Sequence, residues 1–351
     1  DEYRRYYRRK YDELYVKKIE SRYSQNQKKK VVRKKVNPVI IHNVYQCMKD
    51  CCSLSEHHRL GLIRDRKIPL ERIEQDYFTC PTNWRQKDTI IAGIKEKYPA
   101  YTDEILMNIP GFFYDKKRGK LSFTGHKGLG ILIRNSDSRI VAIQIRKDTI
   151  QEGDSRYIWF SSSFATYNPD EYNGGNGCGS PKDVCYPQML KKHTLCITEG
   201  RFKSEKLTES GNISISVQGV TSWHGIEETI KHMKGIHNVF IFFDADILGK
   251  HVLFMQSEKM IRKIQDEFPG LYIRYAFWSK KNGKGIDDCI IAGNISKVKY
   301  YEAKRAAEIC NDAYTHALGE YHVANLRELK QERAKEFEDY LQILTESMLG
   351  L

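Results

Sequence analysis

The chain has 351 residues, with 58 lysines and arginines against 45 acids; its net charge of +13 points to a polyanionic partner. That length holds two or three domains with a real core, while no apolar run approaches membrane-spanning length. Nine cysteines, odd in number and scattered, argue against a disulfide framework and for reduced thiols in a cytoplasmic protein.

The chain begins at Asp1, without a methionine, so a fragment of a longer product is expected. Residues 1–36 carry fourteen lysines and arginines against five acids. Tyr3, Tyr7, Tyr11 and Tyr15 recur every four residues, one stripe on a helix. Two readings stay open. A nucleic-acid arm sets cations on phosphates and rings on bases; a packed helix buries its tyrosines and leaves its charges in water.

Residues 37–110 read as mostly helical. Cys47, Cys51, Cys52, His57 and His58 lie along one or two helices, without the separated ligand pairs of a structural zinc site. Core cysteines and a surface histidine pair are expected there. Residues 111–190 begin with strands at 120–124, 130–134, 140–146 and 157–160, with a turn at Asn135–Ser138. Gly125, Gly128 and Gly130 precede a strand and lack phosphate-loop spacing, so they read as hairpin turns. Val141, Ile143 and Ile145 alternate, which predicts Arg146 on the opposite, exposed face. A Gly/Asn/Pro-rich connection follows to residue 190; Cys178 and Cys185 lack a second pair, and a mobile loop is expected.

Residues 191–294 hold the densest pattern. The runs Thr194–Ile197 and Val239–Phe243 are short and unbroken, as in strands buried on both faces of a parallel sheet. Helices are predicted over Arg201–Ser210 and His251–Phe268, with further strands at Asn212–Gly219 and Leu271–Trp278. In this repeated βαβ order, right-handed crossovers align the strand ends. Glu199, Asp244 and Asp246 then converge on the edge where open α/β sheets bind ligands. Crowded carboxylates need a cation, and hard oxygens favour Mg²⁺ or Mn²⁺. Residues 295–351 read as charged amphipathic helices with Leu326, Leu329, Phe337, Leu341 and Leu344 on the apolar face. A helix-bundle cap and a partner-docking tail fit that pattern equally.

Ile197-Thr-Glu-Gly200, Phe243-Asp-Ala-Asp246 and Lys284-Gly-Ile-Asp-Asp288 resemble the three motifs of the TOPRIM domain, shared by bacterial primases, topoisomerases and some nucleases. The texture is similar to primase-like proteins of phages, plasmids and mobile elements, and the similarity covers roughly residues 45–293. The resemblance implies an α+β or α/β chain: a TOPRIM domain with a central parallel sheet, preceded by a strand-rich basic subdomain and flanked by helices. It makes Glu199, Asp244, Asp246 and one of Asp287 and Asp288 a metal centre for Mg²⁺ or Mn²⁺. Bacterial replicative primases usually carry an acid four residues after the motif glutamate; this chain has Lys203. Arg146 and Arg156 match basic positions of the primase subdomain, the second usually lysine. With Lys203 and Lys284 they are the expected phosphate ligands, and Arg134 and Lys147 the expected template contacts.

The activity implied is a DNA primase core that joins ribonucleotides on single-stranded DNA from nucleoside triphosphates. A TOPRIM nuclease and a non-catalytic DNA-binding replication factor are the alternatives. No Gly-x-x-x-x-Gly-Lys-Ser/Thr stretch occurs, so a replicative helicase would act in trans or from another part of the product.

Overall fold

A computed structural model describes residues 36–351 apart from 152 and 192; the basic arm with its tyrosine stripe lies outside the described residues. Helix α1 (Pro38–Asp50) starts behind Asn37, whose side chain accepts the Val39 N–H at 2.9 Å, with proline at the first helical position. Then come α2 (Glu56–Leu60), a π-turn (Gly61–Asp65), α3 (Leu70–Asp76), β1 (Tyr77–Thr79), α4 (Trp84–Lys97) and α5 (Asp103–Leu106). Strands follow: β2 (Phe112–Asp115), β3 (Lys120–Phe123), β4 (Gly128–Arg134), β5 (Ile140–Lys147), β6 (Tyr157–Trp159), β7 (Tyr172–Asn173) and β8 (Asp183–Cys185). The next stretch holds β9 (Thr194–Thr198), α6 (Arg201–Thr208), β10 (Ile213–Ser216), α7 (Ile226–Lys231) and β11 (Asn238–Phe242). A 3-10 turn (Ala245–Gly249), α8 (His251–Glu267), β12 (Tyr272–Phe277), α9 (Ile286–Ile291), β13 (Lys299–Glu302), α10 (Ala303–Glu320) and α11 (Gln331–Met348) complete the order.

The described residues divide into two compact units: 36–53 with 78–131 and 142–179, and 54–77, 132–141 and 180–351. In the first, β3–β2–β7 form a three-stranded antiparallel sheet, and most of a four-stranded sheet in the order β1–β4–β5–β6 also belongs here. Several of the sequence expectations are corrected. Gly128 and Gly130 lie inside β4, not in turns, because a neighbour sits against each: a Cβ on Gly130 would fall 2.5 Å from the Phe78 ring. Ala142, Ile143, Gln144 and Ile145 are buried in succession, so β5 is covered on both faces and does not alternate. Arg146 at its end is therefore half-buried, not exposed. The stretch read as helical also contains β1, and the glycine-rich connection contains β7 and β8.

In the second unit, six strands run in the order β13–β12–β11–β9–β10–β8. The inner pairs β10–β9, β9–β11 and β11–β12 are parallel; the outer strands β8 and β13 are antiparallel. The unbroken apolar runs are explained by cover on both faces. Leu195, Ile197, Val239 and Ile241 pack with Ile226 and Ile230 of α7 and with Phe254 and Ile261 of α8. Cys196, Phe242 and Ala276 face the other way, onto Leu207 of α6 and Ile286 and Cys289 of α9. Leu329, Phe337 and Leu341 join Ala313 and Ala317 of α10 in a smaller core. His58, expected at the surface, is buried, while His57 is exposed.

Candidate active site

The chain crosses from β10 on one side of β9 to β11 on the other, so strand order reverses between β9 and β11. Open α/β sheets leave a crevice at such a point. β9 delivers Glu199, and β11 delivers Asp244-Ala245-Asp246 beside it, in the register Phe242 opposite Thr198. The Thr198 hydroxyl donates to the Phe242 carbonyl at 2.8 Å, and the Asp244 N–H donates to Glu199 Oε1 at 2.9 Å. The loop after β12 joins them, its Lys284 carbonyl accepting the Ala245 N–H at 2.9 Å. Gly285 is the meeting place: a Cβ there would lie 2.3 Å from Asp287 Oδ1, 2.8 Å from Lys203 Cε and 3.5 Å from Asp244 Oδ1. The neighbouring aspartates thus separate. Asp287 is buried in the cluster, whereas exposed Asp288 accepts the Gly285 N–H at 3.3 Å as a helix cap.

Every carboxylate already has a partner. Lys203 Nζ stands 2.5 Å from Asp244 Oδ1, Lys250 Nζ 2.7 Å from Asp246 Oδ2, and Arg66 Nη1 2.8 Å from Asp287 Oδ2. Exposed Lys284 hovers farther out, 3.7 Å from Asp246 and 3.9 Å from Asp244. Burial, then the Asp244 charge, pushes the Glu199 carboxyl up, and burial followed by Asp288 does the same to Asp287. For Asp246, burial pushes upward but the Lys250 hydrogen bond and charge prevail, holding it low. For Lys203, burial pulls downward and the Asp244 and Glu199 carboxylates outweigh it, raising the ammonium.

Two further groups of side chains back the cluster. Arg201, immediately after Glu199-Gly200, is fully buried; it reaches both Asp183 oxygens at 3.0 and 3.2 Å, Glu205 at 2.8 Å, the Leu132 carbonyl at 3.2 Å, and Asp76. Arg134 belongs to this network, donating to Asp76 at 2.8 Å and to the Ser138 carbonyl at 2.8 Å. Over the aspartate loop lies α11. Its Gln342 accepts the Gly249 N–H at 2.8 Å and donates to the Ala245 carbonyl at 3.0 Å.

Sequence reasoning missed Arg66, Lys250, Arg201 and Gln342. Lys250 stands four residues after Asp246, a spacing that signals pairing; Arg66 lies in the basic run Arg64–Lys67. Arg201 and Gln342 carry no sequence signal, since their roles depend on distant backbone.

In the first unit, Arg146 pairs in register with Tyr157, and the Lys147 N–H donates to the Arg156 carbonyl at 2.9 Å. These three basic residues share the end of the β5–β6 hairpin, where Lys147 Nζ is 2.6 Å from Asp154 and Arg156 is exposed. Among the described residues, the buried Nε of Arg146 has no hydrogen-bond partner. His126 is pulled down by burial, then by the charges of Lys147 and Lys87.

Among the described residues, no three His, Cys, Asp or Glu side chains are gathered as an all-protein metal cage. The donor chemistry at Asp244 and Asp246 still fits a hard divalent ion: Mg²⁺ keeps several waters and needs only one or two carboxylates beside substrate phosphates. Also among the described residues, no helix is long and apolar enough to cross a membrane.

Residues 186–296 match a family described as a domain of unknown function (DUF3854). No curated protein matches the chain by sequence. Solved structures do. The RNA polymerase domain of Mycobacterium tuberculosis primase DnaG is 13% identical, covering 86% of this chain and 97% of that one at a TM-score of 0.55. A DNA primase domain from Pseudomonas aeruginosa is 12% identical, covering 87% and 99% at 0.52. The M. tuberculosis domain in complex with a double-stranded DNA oligomer with a 6-nucleotide overhang is 12% identical, covering 88% and 97% at 0.51. The chain therefore has the mixed α+β fold, with several sheets, of bacterial DnaG primase catalytic cores.

Proposed function

We propose that this chain is the catalytic core of a TOPRIM-type DNA primase from a phage, plasmid or other mobile element. It would join ribonucleotides on a single-stranded DNA template in the cytoplasm, with any replicative helicase acting in trans. One observation carries the reading: Glu199, Asp244, Asp246 and Asp287 occupy the strand-order reversal of a sheet within a chain folded as a primase core. The domain reading follows the sequence: basic arm to residue 36, helical part to 110, strand-rich basic subdomain to 190, TOPRIM domain to 294, helices beyond.

In this reading Asp244 and Asp246 would hold Mg²⁺ or Mn²⁺, which when bound offsets triphosphate charge and steadies the attacking and leaving oxygens. Glu199 fixes the Asp244 backbone through its hydrogen bond. Arg66 orients Asp287, and Asp288 caps the helix that carries it. Lys284, exposed at the rim, is free to swing onto a phosphate. Arg146, Lys147 and Arg156 supply positive charge at the β5–β6 end, where it would favour a bound phosphate. Arg134 is taken up by Asp76 and Ser138 inside the buried network, whereas Lys147 pairs with exposed Asp154 and would exchange that partner for the template.

Incubation with single-stranded DNA, Mg²⁺ or Mn²⁺ and labelled ribonucleotides tests the proposal. Products longer than a nucleotide are expected, and the double variant Asp244→Asn/Asp246→Asn should lose them while keeping its circular dichroism spectrum. Shortened DNA would identify a nuclease. DNA binding with neither product would identify a non-catalytic factor, and unchanged synthesis by the double variant would misplace the centre.

A further inference from the structure

The cations around the carboxylates differ in how firmly they are held. Lys284 is exposed and distant, and Lys250 sits at the rim beside Asp246. Lys203 is inside. It springs from the first turn of α6, its side chain is only 17% exposed, and its Nζ lies 2.5 Å from Asp244 Oδ1. Its Cε borders Gly285 together with Asp287 Oδ1, so the ammonium enters where carboxylates from three loops approach. A buried ammonium persists only where carboxylates compensate it, and crowded carboxylates persist only around a cation.

We propose that the Lys203 ammonium permanently fills the inner cation position of this cluster, in place of a divalent ion. The centre then takes up a single metal ion, on the outer side between Asp244 Oδ2 and Asp246, where exposed Lys284 must move aside and Lys250, at the rim, must release Asp246 Oδ2. Withdrawing Lys203 would leave Asp244 and Glu199 without a close counter-charge, Asp287 keeping Arg66 at 2.8 Å, and a second divalent ion beside Lys203 would meet a like charge. Asp244 and Asp246 suffice for one ion, because a hard cation completes its shell with water and substrate oxygens. The inference rests on the metal-centre reading above and adds to it a count of ions and a cation that no chelator removes.

Titration with Mn²⁺, following free ion by electron paramagnetic resonance, tests it on the full chain. One ion per chain is expected for the wild type and for Lys203→Arg, which keeps the charge; Asp246→Asn should abolish it. Lys203→Gln should bind two ions, melt lower than wild type in EDTA, and regain more of its melting temperature with Mn²⁺ than wild type gains. Two ions in the wild type, or one ion in folded Lys203→Gln, overturns the inference and leaves the metal centre standing. No ion in any protein, or an ion retained by Asp246→Asn, overturns both. If Lys203→Gln does not fold, the counts for the wild type and Lys203→Arg decide: one ion in each supports the inference, and two in either overturns it.

Discussion

At the scale of single residues, burial decides which groups titrate where. His251, at the start of α8, stacks on Tyr314 with ring centroids 3.6 Å apart, and burial pulls its imidazole down to about 4. In the unfolded chain it takes a proton near pH 6.5. Between those values the unfolded form binds more protons, so the contribution is full above about pH 6.5 and is lost as pH falls towards about 4. His251→Phe keeps the ring contact and removes the titration. Urea unfolding across that window should show a smaller acid loss of stability in the variant than in wild type; equal losses would assign the effect elsewhere. The clustered carboxylates Glu199, Asp244 and Asp246 were legible in the sequence because each follows an apolar run at a strand end. The division of labour between Asp287 and Asp288 was not, since both begin the same helix and only the close approach at Gly285 separates them.

At the scale of elements, α11 supports the aspartate loop. It lies on the 3-10 turn that carries Ala245 and Asp246, with Gln342 satisfying a donor and an acceptor there. Those backbone groups are buried, and leaving such groups unpaired costs about 1–3 kcal/mol each. Gln342→Ala should therefore destabilise the protein by about 2 kcal/mol in denaturant unfolding and lower nucleotide joining, although the residue is almost a hundred positions from the aspartates. A variant with wild-type stability would show that water replaces the amide. The amphipathic pattern in the sequence announced the helix and its apolar face: Leu329, Phe337 and Leu341 are buried. Nothing in a polar glutamine announced its partner. Strands β1 and β13 went unread for a related reason, being only three and four residues long and paired with distant neighbours.

For the whole molecule, charge is the property that one sum captures and one structure cannot. Nine of the thirteen excess positive charges fall in residues 1–36. A basic arm on DNA releases counter-ions, so log affinity should fall steeply with log salt, and deleting residues 1–36 should flatten that slope. Measuring DNA affinity across a salt series checks this; an unchanged slope would favour the packed-tyrosine helix. The fold as a whole was legible where the pattern is local, in the βαβ order of the second unit. It was opaque where pairing is long-range, as in the ion network of Arg201. That guanidinium draws on Asp76, Asp183, Glu205 and the Leu132 carbonyl, contributed by four separate stretches of chain. Replacing any one acid or the arginine alone strands a buried charge at a cost of about 3–5 kcal/mol, a large share of a domain's stability of about 5–15 kcal/mol. Because each single replacement leaves the others with an uncompensated charge, the four side chains act as one brace behind the strand end that carries Glu199, and they can be exchanged only as a set.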